Sequence, residues 1–124
     1  MYNNDITTET ANINEINSEG AEHKLFEIKP DKMPIGIYQK MDKFECHDIS
    51  LSTGDQLYMF SDGYADQFGG PKGKKFKYKP FKELLLQNAE KSMSEQRNVL
   101  ENAFEDWKGD FEQIDDVVII GIRV

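Results

Sequence analysis

The sequence has one cysteine, two histidines, four prolines and no long apolar run in its 124 residues. A single cysteine, Cys46, excludes an internal disulfide and fits a reducing compartment, where it reads as an ordinary strand residue. His23 and His47 both read as surface residues, and no Ser-His-Asp or Cys-His arrangement is legible. No stretch approaches the roughly twenty apolar residues that span a bilayer, and the first residues lack the pattern of a signal peptide. A soluble, cytoplasmic chain is therefore expected.

Positive charge is also scarce, with 15 Lys and Arg against 23 Asp and Glu and a formal charge of −8. Phosphate backbones demand clustered positive charge, so a general nucleic-acid binder is excluded. Five of the lysines, Lys72, Lys74, Lys75, Lys77 and Lys79, fall in one short span without an acid. The remainder holds 10 basic and 23 acidic residues, which isolates a basic loop on an acidic body. Such a loop suits an acidic or phosphorylated partner, and equally a solvated surface. It begins in Gly69-Gly70-Pro71-Lys72-Gly73, which fails as a phosphate-binding loop because the glycines are one residue too close and Lys75 stands where a Ser or Thr is needed.

What is present is organised around two apolar strands. Leu57, Tyr58, Met59 and Phe60 are apolar at both parities, which predicts a strand covered on two faces. The run ends at Ser61-Asp62-Gly63, where the strand holds a carboxylate and Gly63 permits close backbone approach to a ligand. Near the other end, Gln113-Ile114-Asp115-Asp116 leads into Val117 to Val124, again predicted as a strand buried on both faces. If the two strands pair antiparallel, Asp62 and Asp115 meet at one edge of the sheet. Adjacent carboxylates repel unless a cation or proton lies between them.

The rest of the chain supplies cover. Residues 1–22 hold five Asn, five acids and no Lys or Arg, which predicts a tail, or a loop and weak strand, with a turn at Ser18-Glu19-Gly20. From residue 23 onward an ordered region is expected: a strand at Leu25, Phe26 and Ile28 ended by Pro30, a tight connection at Met33-Pro34-Ile35-Gly36-Ile37, and a strand over Phe44 to Leu51 with a bulge near His47 and Asp48. Ser52-Thr53-Gly54-Asp55 then turns into an antiparallel neighbour. Two helices follow. The first is opened by Pro80 and carries Phe81, Leu84, Leu85 and Asn88 on one face. The second starts at the capping box Ser92 and Glu95, aligns Val99, Leu100, Ala103, Phe104 and Trp107 as a core stripe, and stops at Gly109. The fold class is α+β, mainly antiparallel strands with an αα-hairpin before the last strand.

Oxygen-only ligands select hard cations, so a site made of Asp62, Asp115 and either Asp66 or Asp116 favours Mg²⁺ or Mn²⁺ over Zn²⁺. In the absence of a side-chain nucleophile, metal-activated water is the economical alternative.

The run GDQLYMFSDGYADQFGG, the helix ending in Phe104-Glu105-Asp106-Trp107-Lys108-Gly109 and the closing QIDDVVIIGIRV together resemble the C-terminal part of the metal-dependent protein serine/threonine phosphatases (the PPM family), in the SpoIIE-type branch found in bacteria. The resemblance covers roughly Lys24 to Val124. It implies a partial α/β/β/α sandwich, two Mn²⁺ or Mg²⁺ ions in the complete domain, and hydrolysis of phosphoserine or phosphothreonine by metal-activated water. It further implies that Asp62 and Asp115 are metal ligands beside Gly63, with Asp66 matching a position that in some relatives reaches a further metal through water. Asp116 is the weaker of the paired acids. Lys72, Lys74 and Lys75 lie where a variable region flanks the cleft and engages a phosphoprotein, such as an anti-sigma-factor antagonist.

The family's upstream Asp-x-x-Gly-His-Gly-like motif has no counterpart here, and about half of the sandwich is missing. A C-terminal fragment, inactive by itself, is the expectation. The alternative is a catalytically inactive protein-binding module derived from the same fold. In either case an incomplete sandwich leaves apolar sheet surface bare, which favours a homodimer or partial disorder.

Overall fold

The computed structural model describes residues 13–16, 23–29, 46 and 48–124. In chain order these form β1 (Ile13–Ile16), β2 (Leu25–Ile28), β3 (Gln56–Phe60), β4 (Phe68–Gly69), β5 (Lys74–Lys75), α1 (Tyr78–Gln87), α2 (Met93–Lys108) and β6 (Ile119–Arg123). Among the described residues the strands make three antiparallel pairs, β1 with β2, β3 with β6, and β4 with β5. The α+β class and the αα-hairpin before the last strand are as the sequence indicates.

The central pair is β3 with β6. Phe60 faces Ile119 and Gln56 faces Arg123, so the C-terminal end of one strand lies beside the N-terminal end of the other. The ladder continues past both ends, through Ser61 N to Val118 O (2.9 Å) and through Gly54 N to Val124 O (2.8 Å). Among the described residues, the two-sided cover expected for these strands is not found. One face packs on the helices, and the other leaves Leu57, Met59, Val118, Ile120, Ile122 and Val124 exposed. The apolar runs reflect a core on one side and an uncovered surface on the other.

The core is aromatic. Phe81 is fully buried and stands in contact with Phe60 and Tyr64 at 4.9 Å between ring centroids; Tyr64 in turn meets Phe104 at 5.2 Å and Phe76 at 5.3 Å. Edge-on and tilted arrangements of this kind gain beyond their buried area. Tyr64 and Ala65 belong to the segment after the central strand, which reads as a loop from sequence but is among the most buried parts of the chain. The Tyr64 hydroxyl donates to Leu100 O (2.8 Å) and ties this turn to α2.

Ser92 caps α2 by accepting from Glu95 N (3.2 Å), and Gly109 ends the helix at φ 53°. Of the predicted stripe, Phe104 is buried and Val99, Leu100, Ala103 and Trp107 are half-buried. Helix α1 starts at Tyr78, two residues before Pro80, and buries Leu86 beside Phe81 and Leu85, with Leu84 and Asn88 half-buried. Gln96 is the polar member of the α2 core face. It donates to Gln56 Oε1 (2.9 Å) and Lys91 O (3.0 Å), while Gln56 donates to Ala89 O (2.6 Å). A buried polar pair satisfied in this way fixes the register of sheet against helix.

Several expectations fail. Cys46 and residues 48–51, the described part of the strand expected over Phe44 to Leu51, adopt no strand, and Cys46 is exposed. The partner of β3 is β6, and the Ser52 to Asp55 turn closes on itself: Asp55 N donates to Ser52 O (3.0 Å) and Asp55 Oδ2 accepts from Ser52 N (2.8 Å). By contrast, β1, paired with β2 in the register Ile13 to Ile28, fits the weak strand that was one expectation for residues 1–22. His23 is not a surface residue; its side chain is largely covered and its Nε2 lies 3.3 Å from Glu90 Oε1. His47, the turn at Ser18-Glu19-Gly20 and the connection at Met33 to Ile37 lie outside the described residues.

Candidate metal centre

The rim where β3 ends and β6 begins gathers the predicted acids. Ser61 is the stitch between them: its hydroxyl donates to Asp116 O (3.0 Å) and accepts from Val118 N (3.0 Å). Gly63 lets the second turn come closer still. A Cβ at this position would overlap Asp116 O, so any larger residue would push the two turns apart. Asp62 and Asp116 therefore flank a backbone contact between segments more than fifty residues apart in the chain.

Asp62, Asp115 and Asp116 are exposed at this rim. Asp62 Oδ1 accepts from the Tyr78 hydroxyl, and Asp115 Oδ1 accepts from Asp116 N (2.9 Å). Asp66 sits one turn beyond Asp62, its N donating to Asp62 O (2.9 Å), and its carboxylate pairs with Lys75 Nζ at 3.5 Å. Lys75 is thus engaged with an acid of the turn, whereas Lys72 and Lys74 are exposed on the β4–β5 hairpin. Trp107 anchors that hairpin, donating from Nε1 to Gln67 O (2.9 Å) and accepting at O from Gly70 N (2.9 Å). The paired glycines serve this close packing.

Tyr78 was not singled out in the sequence. Its ring stands 6.2 Å from Phe60 and carries Lys82 Nζ 5.6 Å above it. Burial raises its hydroxyl pKa well above 10, and the bond to Asp62 and the nearby Asp62, Asp66 and Glu27 charges raise it further. Tyr78 therefore stays a proton donor to Asp62 across the physiological range. The signal available beforehand was weak: an aromatic at the first turn of a helix, sixteen residues after the acid.

The donors at this rim are carboxylates, hydroxyls and backbone carbonyls, the set that hard divalent cations take. Among the described residues, no group of three or more His, Cys, Asp and Glu side chains forms a metal-holding cluster. One or two carboxylates with retained water is the usual protein contribution to Mg²⁺. In donor chemistry alone, the described residues of this rim suit one such ion. A cleft of about 900 Å³ between α2 and β6 is lined by Leu100, Phe104, Val117 and Ile119, among others, and by none of these acids.

Residues 17–124 match the family of Stage II sporulation protein E (SpoIIE), and the chain belongs to that family. Its α+β fold matches part of a PP2C-type domain. Among solved structures, the chain is similar to the SiaA-PP2C domain of Pseudomonas aeruginosa, with a TM-score of 0.63 and 29% identity over 67% of this chain. The chain spans 34% of the length of that relative. No curated protein matches the sequence.

Proposed function

We propose that this chain is part of a Mn²⁺- or Mg²⁺-dependent phosphoprotein phosphatase domain, acting on phosphoserine or phosphothreonine in cytoplasmic bacterial signalling. The observation that carries the proposal is the Ser61 stitch, which brings the turn of Asp62 against that of Asp115 and Asp116. Asp62 and Asp115 would hold the cation, with Gly63 keeping the two turns close and Asp116 orienting the second. When bound, the cation supplies a Lewis acid for phosphoryl oxygens and lowers the pKa of water at the site. Tyr78 orients the Asp62 carboxylate, and Lys75 offsets the charge of Asp66 so that three acids tolerate one rim. Lys72 and Lys74 extend from a rigid hairpin beside that rim, where they would meet an acidic or phosphorylated protein substrate.

The described residues provide too few ligands for a dinuclear centre, so the chain alone is expected not to turn over. The test is p-nitrophenyl phosphate hydrolysis with excess Mn²⁺. No release of nitrophenol is the expected result, and turnover that Asp62→Ala abolishes would overturn the inactivity of the isolated chain while supporting the site.

A further inference from the structure

We propose that Glu27 and Lys82 are positioning residues for the acidic rim, so that the β1–β2 hairpin, acting through α1, sets how Asp62 is presented to a cation. The inference rests on the reading of that rim as a cation site and names what controls it.

Tyr78 and Lys82 lie one helical turn apart on α1, which puts their side chains on the same face. The Lys82 ammonium stands 5.6 Å above the Tyr78 ring, within the range of a cation–π attraction, and Phe60 at the end of β3 meets the same ring at 6.2 Å. These contacts restrict the ring, and the ring carries the hydroxyl that donates to Asp62 Oδ1. A lysine is a poor restraint by itself, because its long stem has many rotamers to lose. Glu27 removes that freedom: its Oε2 accepts from Lys82 Nζ at 2.8 Å, with the two side chains only 26% and 16% exposed. The pairs of Arg97 with Glu101 and of Lys75 with Asp66 are far more open to solvent, where such pairs hold little.

Glu27 belongs to β2, which pairs with β1. A physical chain of contacts therefore runs from the hairpin through Lys82 and Tyr78 to Asp62. A shift of the hairpin against α1 breaks the Glu27–Lys82 pair, frees the ammonium from the ring and loosens the hydroxyl that orients the carboxylate. The pair is neutral as a whole, so it acts on the rim through placement more than through charge.

Glu27→Gln combined with Lys82→Met removes the pair and leaves the net charge at −8, which separates placement from electrostatics. Without added metal, the ¹³C resonance of the Asp62 carboxyl should move in this paired variant of the full chain. It should not move when the same substitutions are made in Tyr78→Phe, where the link is already cut. In calorimetric titration with Mn²⁺, the paired variant should bind about threefold more weakly, below the 10- to 100-fold of a direct partner of a ligand. No further loss is expected in Tyr78→Phe, and Lys82→Arg, which keeps a cation between Glu27 and the ring, should bind as the wild type does. Glu27→Gln alone carries both measurements if circular dichroism shows the paired variant unfolded. An Asp62 resonance indifferent to the substitutions, or losses that simply add to that of Tyr78→Phe, overturns the proposal. Mn²⁺ binding that the variants leave unchanged also overturns it, with the cation reading of the rim left standing; a resonance that moves as expected in a chain that binds no Mn²⁺ supports the positioning role and counts against that reading.

Discussion

At the scale of single residues, the bond from Tyr78 to Asp62 makes the sharpest distinction between a positioned ligand and a surface acid. An oriented carboxylate loses less freedom when it engages a cation, and partners of this kind are commonly worth 10- to 100-fold in affinity. Tyr78→Phe removes the hydroxyl and keeps the ring against Phe60. Mn²⁺ affinity by calorimetry should fall about tenfold, with stability lower by about 1 kcal/mol. A rise in affinity would show instead that Tyr78 competes with the cation for Asp62. Residue by residue, the sequence made Asp62, Gly63, Asp115 and Asp116 visible because acid-glycine and acid-acid pairs border strongly apolar runs. Tyr78 and Gln96 stayed hidden because their partners lie 16 and 40 residues away, and no local pattern encodes such a pairing.

Among the elements, the start of α1 carries backbone strain. Lys77 adopts φ 76° and ψ 160°, a region open essentially to glycine, while its N donates to Ala65 O (2.8 Å). That conformation aims the first residue of the helix, Tyr78, back at the acidic turn. Lys77→Gly relieves the strain at the expense of chain entropy, and the balance should stabilise the fold by about 1 kcal/mol. Chemical denaturation would measure it, and a destabilised variant would mean that the lysine side chain contributes packing its exposure does not suggest. The helices were legible because Ser92 with Glu95 and the α2 stripe agree on one register. The strands were only partly so, because an apolar run reads the same whether its second face meets a core or lies bare. The strand expected over Phe44 to Leu51 failed at residues 48–51 for a related reason: the β-hairpin pattern there was satisfied locally, by Asp55 capping Ser52, while β3 took a partner near the C-terminus.

Across the whole molecule, three tyrosines, Tyr64 buried and Tyr58 and Tyr78 half-buried, shape the alkaline limit. Tyr58, Tyr64 and Tyr78 all have hydroxyl pKa values raised above 10, with burial the leading cause in each. A raised value means that the folded state holds its proton after the unfolded chain has released it. Their contribution is therefore complete below about pH 10 and is lost as pH climbs above it. Thermal denaturation from neutral to strongly alkaline pH should show a melting temperature that falls above about pH 10; Tyr64→Phe should flatten that fall, and an unchanged slope would place the cause elsewhere.

The central claim is that two acids from distant strand ends share one cation at a common rim. Calorimetric titration of the folded chain with Mn²⁺ tests it most directly. Binding that both Asp62→Ala and Asp115→Ala abolish, with circular dichroism unchanged, is the predicted result. Absence of binding to the intact wild-type fold, or binding that survives either substitution, would contradict it.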